Sequence, residues 1–260
     1  MKYFLREFWI FIIKQAYACL FGGYLVALIF ITNFWYPLSI PRYDFLFYAA
    51  IAFQVFLLVF KFETPKEAIV IILFHLVATG MEVFKTSDTI ASWKYPEPFT
   101  LGFANYPLFA GFMYSAVGSY IARVWRIFDF KYSFYPKMFS TVILVTLIYI
   151  NFFTHHYTFD IRWLLYLASF ALFWQTHVYF KVDKTYHQMP LLLGWLLVSL
   201  FIWFAENIAT YSHAWIYPNQ SHGWHMVSIG KLSSWYLLMM LSFVLVSLVH
   251  KPTLIKNGQV

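Results

Sequence analysis

The sequence predicts an all-α, polytopic membrane protein in which eight transmembrane helices form two parallel four-helix halves. Three observations lead to this fold class. Of the 260 residues, 62% are hydrophobic and only 11% are charged, a composition that excludes a water-soluble domain. Apolar runs of about 20 residues, the length that crosses a bilayer, recur along the chain. Two similar segments, one in each half of the chain, indicate an internal duplication.

Eight apolar runs are long enough to be predicted as spans. They cover residues 16–34, 44–61, 67–85, 104–122, 138–154, 161–180, 189–206 and 232–249. Residues 1–15 are predicted to form an uncleaved segment at the membrane interface, because Lys14 and Gln15 interrupt their apolar stretch. The single cysteine, Cys19, excludes an internal disulfide and a thiolate metal cluster.

The distribution of basic residues predicts that both termini are cytoplasmic. With the N-terminus inside, thirteen of the eighteen Lys and Arg residues fall on the cytoplasmic side and five on the other, as the positive-inside rule requires. The net charge of +7 is then explained by this membrane topology, and it is expected to attract anionic membrane lipids. Residues 123–137 interleave basic and aromatic side chains as an interfacial segment does. Membrane lipids are therefore the expected partners, and no nucleic-acid partner is predicted.

The duplication is visible in "GMEVFKTSDTIASWKYPEP", residues 80–98, and "AENIATYSHAWIYPN", residues 205–219. In each segment a glutamate is followed four residues later by a threonine, and then by Trp, any residue, Tyr and Pro. The matching positions are Glu82, Thr86, Trp93, Tyr95 and Pro96 in the first segment and Glu206, Thr210, Trp215, Tyr217 and Pro218 in the second. This predicts two four-span halves, residues 1–130 and 131–260, related by an axis along the membrane normal.

A polar stripe accompanies each glutamate. His75, Thr79, Glu82 and Thr86 are spaced by four, three and four residues, so they share one helical face, and Ser199, Trp203, Glu206 and Thr210 partly repeat this pattern. A carboxyl group in a span costs roughly 2.5–3.5 kcal/mol at the bilayer centre, so such residues usually face the bundle interior and serve a function. Buried there, a glutamate can hold or donate a proton.

These residues also allow structural roles. A glutamate near a helix end can hydrogen-bond across helices or lie in head-group water, and His75 can be an ordinary interior histidine. The Trp and Tyr residues can be interfacial anchors. Recurrence of the pattern in both halves favours the functional interpretation. The predicted catalytic residues are Glu82, Glu206 and His75, and the predicted substrate-binding residues are Trp93, Tyr95, Trp215, Tyr217, Thr86 and Thr210.

No metal and no cofactor are predicted. "HGWH" places His222 and His225 at a possible ligand spacing, but the matching loop of the first half contains no histidine, so interfacial histidines are the simpler interpretation. Glycine-rich phosphate loops, nucleophile elbows and His-Glu-x-x-His helices are absent from the sequence.

Three stretches, "MKYFLREFW", "TGMEVFKTSDTIASWKYPEP" and "AGFMYSAVGSYIARVWRIF", resemble along the whole chain a bacterial family of integral membrane proteins, domain-of-unknown-function family 817. The resemblance implies a bacterial inner-membrane protein and brings no activity. An acid near a span's end followed by Trp, any residue and Tyr is also similar to the repeated unit of membrane lycopene cyclases and carotenoid hydratases. That likeness implies roles for Glu82, Trp93 and Tyr95 and for Glu206, Trp215 and Tyr217. The cyclases' paired acids after a proline have no counterpart at Pro107.

Three function classes follow. The first is an enzyme in which a buried carboxylic acid protonates a double bond of a hydrophobic, isoprenoid or lipid-like substrate, and aromatic faces stabilise the resulting carbocation. The second is a transporter of small solutes coupled to protons or cations through the paired glutamates. The third is a lipid-binding or scaffold protein for which the glutamates are dispensable. The sequence leaves the substrate and the oligomeric state open.

Overall fold

The computed structural model describes residues 2–255, and most of them are helical. Within this range the helices are α1 (Lys2–Ala18), α2 (Leu20–Phe34), α3 (Arg42–Val59), α4 (Pro65–Lys85), α5 (Phe109–Ile127), α6 (Met138–Thr154), α7 (Arg162–Phe173), α8 (Leu191–Tyr211) and α9 (Gly230–Val249). The strands are β1 (Gly102–Phe103), β2 (Tyr106–Pro107), β3 (Lys131–Ser133), β4 (His177–Lys181) and β5 (Tyr186–Pro190).

Several of these helices have the length and apolar character of membrane spans. Among the described residues, α3, α4, α8 and α9 are long and apolar enough to cross a bilayer, and the bent pair α1 and α2 makes a fifth if it is one span. Helices α6 and α7 are apolar but shorter. The chain is therefore a mostly helical protein with four or five membrane-capable helices, which indicates a membrane protein.

Two small antiparallel sheets depart from the all-α prediction. Strands β1 and β2 form a short hairpin, and β3, β4 and β5 form a three-stranded sheet in that order. The prediction of a span over 161–180 is wrong at its end, because α7 stops at Phe173 and residues 177–181 are strand β4. A short apolar run with β-branched and aromatic residues, such as Val178–Tyr179–Phe180, suits a strand as well as a helix. The predicted span at 104–122 likewise begins late, at Phe109, because the hairpin precedes it.

Helix α4, which carries the first glutamate of the repeat, has a well-defined start. Thr64 Oγ1 accepts a hydrogen bond from the Glu67 backbone N–H, and Glu67 Oε2 accepts one from the Thr64 N–H. Pro65 occupies the first helical position, where its missing N–H costs nothing. This capping box sets where the helix begins and thus how far along it Glu82 lies.

The chain packs as two compact units. The first comprises the described residues within Met1–Leu20, Tyr120–Ser199 and Tyr236–Val260, and the second comprises Phe21–Ser119 and Leu200–Trp235. The first unit contains the three-stranded sheet and an apolar cluster around Val124, Phe128 and Val182. The second contains both predicted glutamates and two apolar clusters, one around Tyr43, Tyr106 and Phe109 and the other around Trp203, Tyr217 and Val227. Division of the sequence into repeated halves at residue 130 stays a prediction.

Candidate functional site

Glu82 lies near the C-terminal end of α4 and is almost fully buried, with 1% of its surface exposed. Three side chains donate hydrogen bonds to its carboxylate. The Trp93 indole N–H and the Tyr95 hydroxyl both donate to Oε2, at 3.0 and 2.9 Å, and the Tyr114 hydroxyl donates to Oε1 at 2.7 Å. A carboxylate can accept about four hydrogen bonds, so these donors hold it in one orientation and leave little acceptor capacity unused.

Glu206 of α8 has a closely similar environment and is 3% exposed. The Tyr217 hydroxyl donates to Oε1, and the Trp235 indole N–H donates to Oε2 at 2.6 Å. Each glutamate is thus held by at least one phenol and one indole. Indole N–H groups cannot accept a hydrogen bond, so the carboxyl oxygens facing Trp93 and Trp235 are acceptors.

The two Trp-x-Tyr motifs pair with each other. Lys94 and Ile216, the middle residues of the motifs, exchange two backbone hydrogen bonds of 3.0 and 2.9 Å in an antiparallel bridge. This pairing sets Trp93 beside Tyr217, with ring centroids 6.3 Å apart and rings nearly perpendicular. The bridge therefore joins a donor of Glu82 to a donor of Glu206.

A second aromatic pair links the same two carboxylates. The ring of Tyr114, which donates to Glu82, lies 6.3 Å from the ring of Trp235, which donates to Glu206. We call the resulting group the carboxylate site. It consists of Glu82, Glu206, Trp93, Tyr95, Tyr114, Tyr217 and Trp235, all within the second unit.

A lysine ammonium lies over the first aromatic pair. Lys231 Nζ is 4.2 Å from the ring centroid of Tyr217 and 5.5 Å from that of Trp93, distances typical of cation–π attraction. Lys231 also interacts electrostatically with the Glu206 carboxylate. Positive charge is therefore already stabilised at these ring faces.

The phenols of the two loops act as permanent donors. Burial, reinforced by the neighbouring Glu82 carboxylate, raises the pKa of Tyr95 well above its usual value of 10.0. Burial and Glu206 do the same to the pKa of Tyr217. Both hydroxyls therefore keep their protons at physiological pH and donate to the carboxylates.

The start of α3 ties the loops of the site to the helices. The Arg42 guanidinium contacts Glu97 Oε1 at 3.0 Å and donates to the Ser212 carbonyl at 2.7 Å. The Asp44 carboxylate accepts hydrogen bonds from the backbone N–H groups of Thr100 and Leu101. Sequence reasoning counted Arg42 only as a topological charge. The sequence Pro-Arg-Tyr-Asp at residues 41–44 places two charged residues at the start of a predicted span. Such a pair of charges is the sequence signal that could have identified this anchor.

The other predicted site residues contact neighbouring groups and not the Glu82 or Glu206 carboxyl oxygens in the described hydrogen bonds. His75, two turns before Glu82, packs against the ring of Phe112, with centroids 5.1 Å apart. The hydroxyls of Thr86 and Thr210 bond to backbone carbonyls within their own helices. Trp215 packs among the apolar side chains around Tyr217 and forms a hydrogen bond with the Tyr217 side chain. The catalytic and substrate-binding roles of all predicted residues stay predictions.

Sequence reasoning missed two donors, Tyr114 and Trp235. Each is the sixth residue of the helix that follows its loop, in α5 and α9 respectively. Their equivalent positions would have been found by extending the repeat beyond the Trp-x-Tyr-Pro motifs. The predicted stripe on α8 also includes Trp203, whose indole donates to the Val227 carbonyl at 3.2 Å, and so fixes the loop before α9.

His222 and His225 of the second loop belong to no metal-ligand cluster among the described residues. Within residues 2–255, no group of three or more His, Cys, Asp or Glu side chains is close enough together to hold a metal ion.

Comparison with known proteins places the chain in a family. A family model described as "Protein of unknown function (DUF817)" matches residues 7–243. The uncharacterized protein YoaT of Bacillus subtilis (strain 168) is 42% identical over 235 residues, which cover 90% of this chain and 88% of that protein. No solved structure matches the chain. Neither description carries an activity, so the likeness to carotenoid enzymes stays a resemblance of motifs.

Proposed function

Because this chain belongs to the DUF817 family, whose description assigns no activity, we propose its function from the carboxylate site: acid–base chemistry on an isoprenoid or lipid-like substrate. One observation carries this proposal. Two buried glutamates from separate apolar helices meet a single aromatic cluster, in which phenol and indole donors orient both carboxyl groups. Ionisable residues in membrane-capable helices are expensive and usually functional.

The chemistry needs only the groups of the site and the substrate. One glutamic acid transfers its proton to a carbon of a substrate double bond, and the π electrons form the new C–H bond. The positive charge left on the second carbon is lost when the other glutamate removes a proton from a neighbouring carbon, whose C–H electrons form a new double bond. The net reaction is a redox-neutral isomerisation, and the proton returns between the glutamates before the next cycle.

The aromatic cluster suits a carbocation intermediate. Its rings carry negative electrostatic potential on their faces, and a desolvated cation gains about 2 kcal/mol or more from such a face. The ammonium of Lys231 over Trp93 and Tyr217 supports the idea that these faces attract positive charge. Substrate is expected to contact Trp93, Tyr95, Trp215 and Tyr217.

We also propose that the site is built from a duplicated unit. Helix, loop and helix recur as α4 to α5 and as α8 to α9, with a glutamate near the end of the first helix and a donor at the sixth residue of the second. The reciprocal bridge between Lys94 and Ile216 supports this relation. The halves are residues 1–130 and 131–260, in an eight-crossing inner-membrane topology with both termini cytoplasmic. This topology requires α7, with 12 residues, to be a short span.

Mass spectrometry of copurifying hydrophobic molecules tests the proposed chemistry. The wild type and a Glu82→Gln, Glu206→Gln double variant are purified in the same mild detergent, and their bound lipids are compared. We expect one enriched isoprenoid or lipid in the wild type that is lost or chemically changed in the double variant. Glu63→Gln is the matched control, because Glu63 is also a buried carboxylate and lies outside the site. Identical bulk lipid in all three samples would count against the proposal.

A second candidate function is a proton- or cation-coupled transporter of small solutes. The observation that favours it is the pair of buried carboxylates beside an aromatic pair that already holds the ammonium of Lys231. Reconstituted liposomes with an internal pH-sensitive dye would report proton flux. Flux in the wild type that is lost in the double variant, without any altered lipid, would favour transport over chemistry.

A further inference from the structure

The tip of the second loop, residues 224–229, exposes three large apolar side chains. Met226 and Ile229 have 64% and 66% of their surface exposed, and Trp224 has 40%. Large apolar side chains that are exposed so close together along a chain indicate a surface that contacts something other than water.

The first loop of the site has a more polar surface. Within residues 86–108, all of which the structure describes, Phe103 is the large apolar side chain that is exposed. Asp88, Thr89 and Lys94 of the same loop are polar and exposed. Apolar exposure is therefore a property of the second loop and not of both loops that follow the glutamates.

The fold fixes the tip of the second loop in place. The Val227 backbone N–H donates to the side-chain oxygen of Asn207 at 2.9 Å, and the Val227 carbonyl accepts from the Trp203 indole at 3.2 Å. Both partners lie on α8. Met226 and Ile229 flank this anchor, so their exposure follows from the anchored backbone. An irregular segment at a membrane boundary needs such partners for its backbone groups.

The inner side of the tip belongs to the wall of the carboxylate site. Val227 is buried and packs in one apolar cluster with Tyr217, and the rings of Trp93 and Trp235 pack against this cluster. All three aromatic residues are members of the site. Adjacent residues of the tip thus face opposite ways, because Val227 points to the site and Met226 is exposed.

The outer side of the tip continues the exposed apolar surface of α8. Helices α8 and α9 are both membrane-capable, and the tip lies between them in the chain. Ile208 and Tyr211 are exposed in the last turn of α8. The Trp224 indole N–H donates to Thr210 Oγ1 at 3.1 Å, and its ring is perpendicular to that of Tyr211 at 5.5 Å. Exposed Trp and Tyr side chains at a helix end are typical of the membrane–water interface.

We infer that the tip of the second loop inserts its apolar side chains into the adjacent leaflet of the bilayer, and that substrate passes between lipid and the carboxylate site along this tip. Lipid is the occupant that fits a surface continuous with a membrane-capable helix and rich in apolar and aromatic side chains. The passage of substrate rests on the proposed function and deepens it, whereas the contact with lipid does not depend on it.

Spin-label accessibility in vesicles tests the contact with lipid. Cys19 is the single cysteine, so Cys19→Ser gives a background in which Met226→Cys and Ile229→Cys each carry one nitroxide. Thr89→Cys is the matched control, because Thr89 is an exposed polar residue of the first loop. The full-length protein is reconstituted into phosphatidylcholine and phosphatidylglycerol vesicles. We expect oxygen, which concentrates in lipid, to relax the two tip labels more than a water-soluble nickel complex does, and the reverse at the control.

Two results would overturn the inference. Equal nickel accessibility at the tip and at the Thr89 control would place the tip in water. Protection of the tip labels from both reagents would show that protein covers the tip, such as a second copy of this chain.

Lipid exchange tests the passage of substrate. The wild type and a Met226→Asp, Ile229→Asp loop variant, both purified with their enriched lipid, are mixed with acceptor vesicles, and the bound lipid is followed by mass spectrometry. Charged side chains are unfavourable where lipid must pass, so we expect exchange to slow by about tenfold, which corresponds to about 1.4 kcal/mol in the barrier. Thr89→Asp is the control and should exchange as the wild type does.

The outcomes separate this inference from the proposed chemistry. Wild-type exchange rates in the loop variant would refute the passage of substrate along the tip. Tip labels in lipid, together with a wild type that carries no enriched lipid, would contradict the proposed chemistry and the passage while confirming the contact with the bilayer. Equal Tm values for the loop variant and the wild type would show that the exposed positions leave the fold intact.

Discussion

Substitution of Glu82 separates the effect of its hydrogen bonds on stability from the effect of its proton on function. In Glu82→Gln, the amide oxygen can accept from Trp93 and Tyr95, and the amide nitrogen can donate to the Tyr114 hydroxyl, which can also accept. All three contacts are kept, so we expect a loss of at most about 1 kcal/mol in the free energy of unfolding. Activity should nevertheless be lost, because an amide cannot transfer the proton.

Glu82→Leu should behave differently, because it removes the acceptor for three partly buried donors. Each unsatisfied donor costs about 1–3 kcal/mol. Since neighbouring losses are not additive, we expect a total of about 3–5 kcal/mol.

Thermal unfolding in one detergent measures this contrast. At about 2–4 °C per kcal/mol for a chain of this size, Tm should fall by less than about 4 °C in Glu82→Gln and by about 6–20 °C in Glu82→Leu. Tyr114→Phe, which removes one donor, should lie between them. Tyr211→Phe is its control, because Tyr211 is exposed at the end of α8. Equal Tm values for Glu82→Gln and Glu82→Leu would refute the assignment of the three hydrogen bonds.

The remaining predictions concern the support of the site. Arg42→Met should destabilise the protein by about 1–3 kcal/mol, because Arg42 contacts Glu97 in the first loop and the Ser212 carbonyl at the start of the second. Loss of both contacts should also make the two loops more sensitive to limited proteolysis. Unchanged cleavage rates would argue against an anchoring role for Arg42. Burial raises the pKa of Glu97 above its usual value of 4.5, against the opposing effect of Arg42. The folded chain therefore binds the Glu97 proton more tightly than the unfolded chain, and this contribution to stability is lost as the pH rises above the usual Glu pKa of 4.5. Glu97→Gln should therefore show a smaller loss of Tm between acidic and neutral pH than the wild type. Gly111→Ala should lower Tm, because its Cβ would lie 2.3 Å from the His75 ring, whereas Gly23→Ala, with open space around it, should be neutral or stabilising by about 0.5–1 kcal/mol.

Local sequence patterns determined the class of the protein and part of its site. Apolar runs predicted the positions of the long helices to within a few residues, because a span needs about 20 consecutive apolar side chains whatever its neighbours are. The spacing of His75, Thr79, Glu82 and Thr86 placed them on one helix face, since that periodicity is a property of the helix itself. The Trp-x-Tyr motifs after each glutamate are enough to identify Trp93, Tyr95 and Tyr217 from the sequence alone.

Only the tertiary structure decided which side chains reach the carboxyl groups. Tyr114 and Trp235 lie 32 and 29 residues beyond the glutamates that they contact, and no local period connects such positions. His75 shares a helix face with Glu82 but packs against Phe112 two turns away, because a common face does not imply a common partner. Strand β4 formed where a span was expected, because it pairs with β5 in a local hairpin and also with β3, which comes from a distant part of the chain. Periodicity fixes the direction of a side chain on its own element, whereas the packing of distant elements decides what that side chain meets.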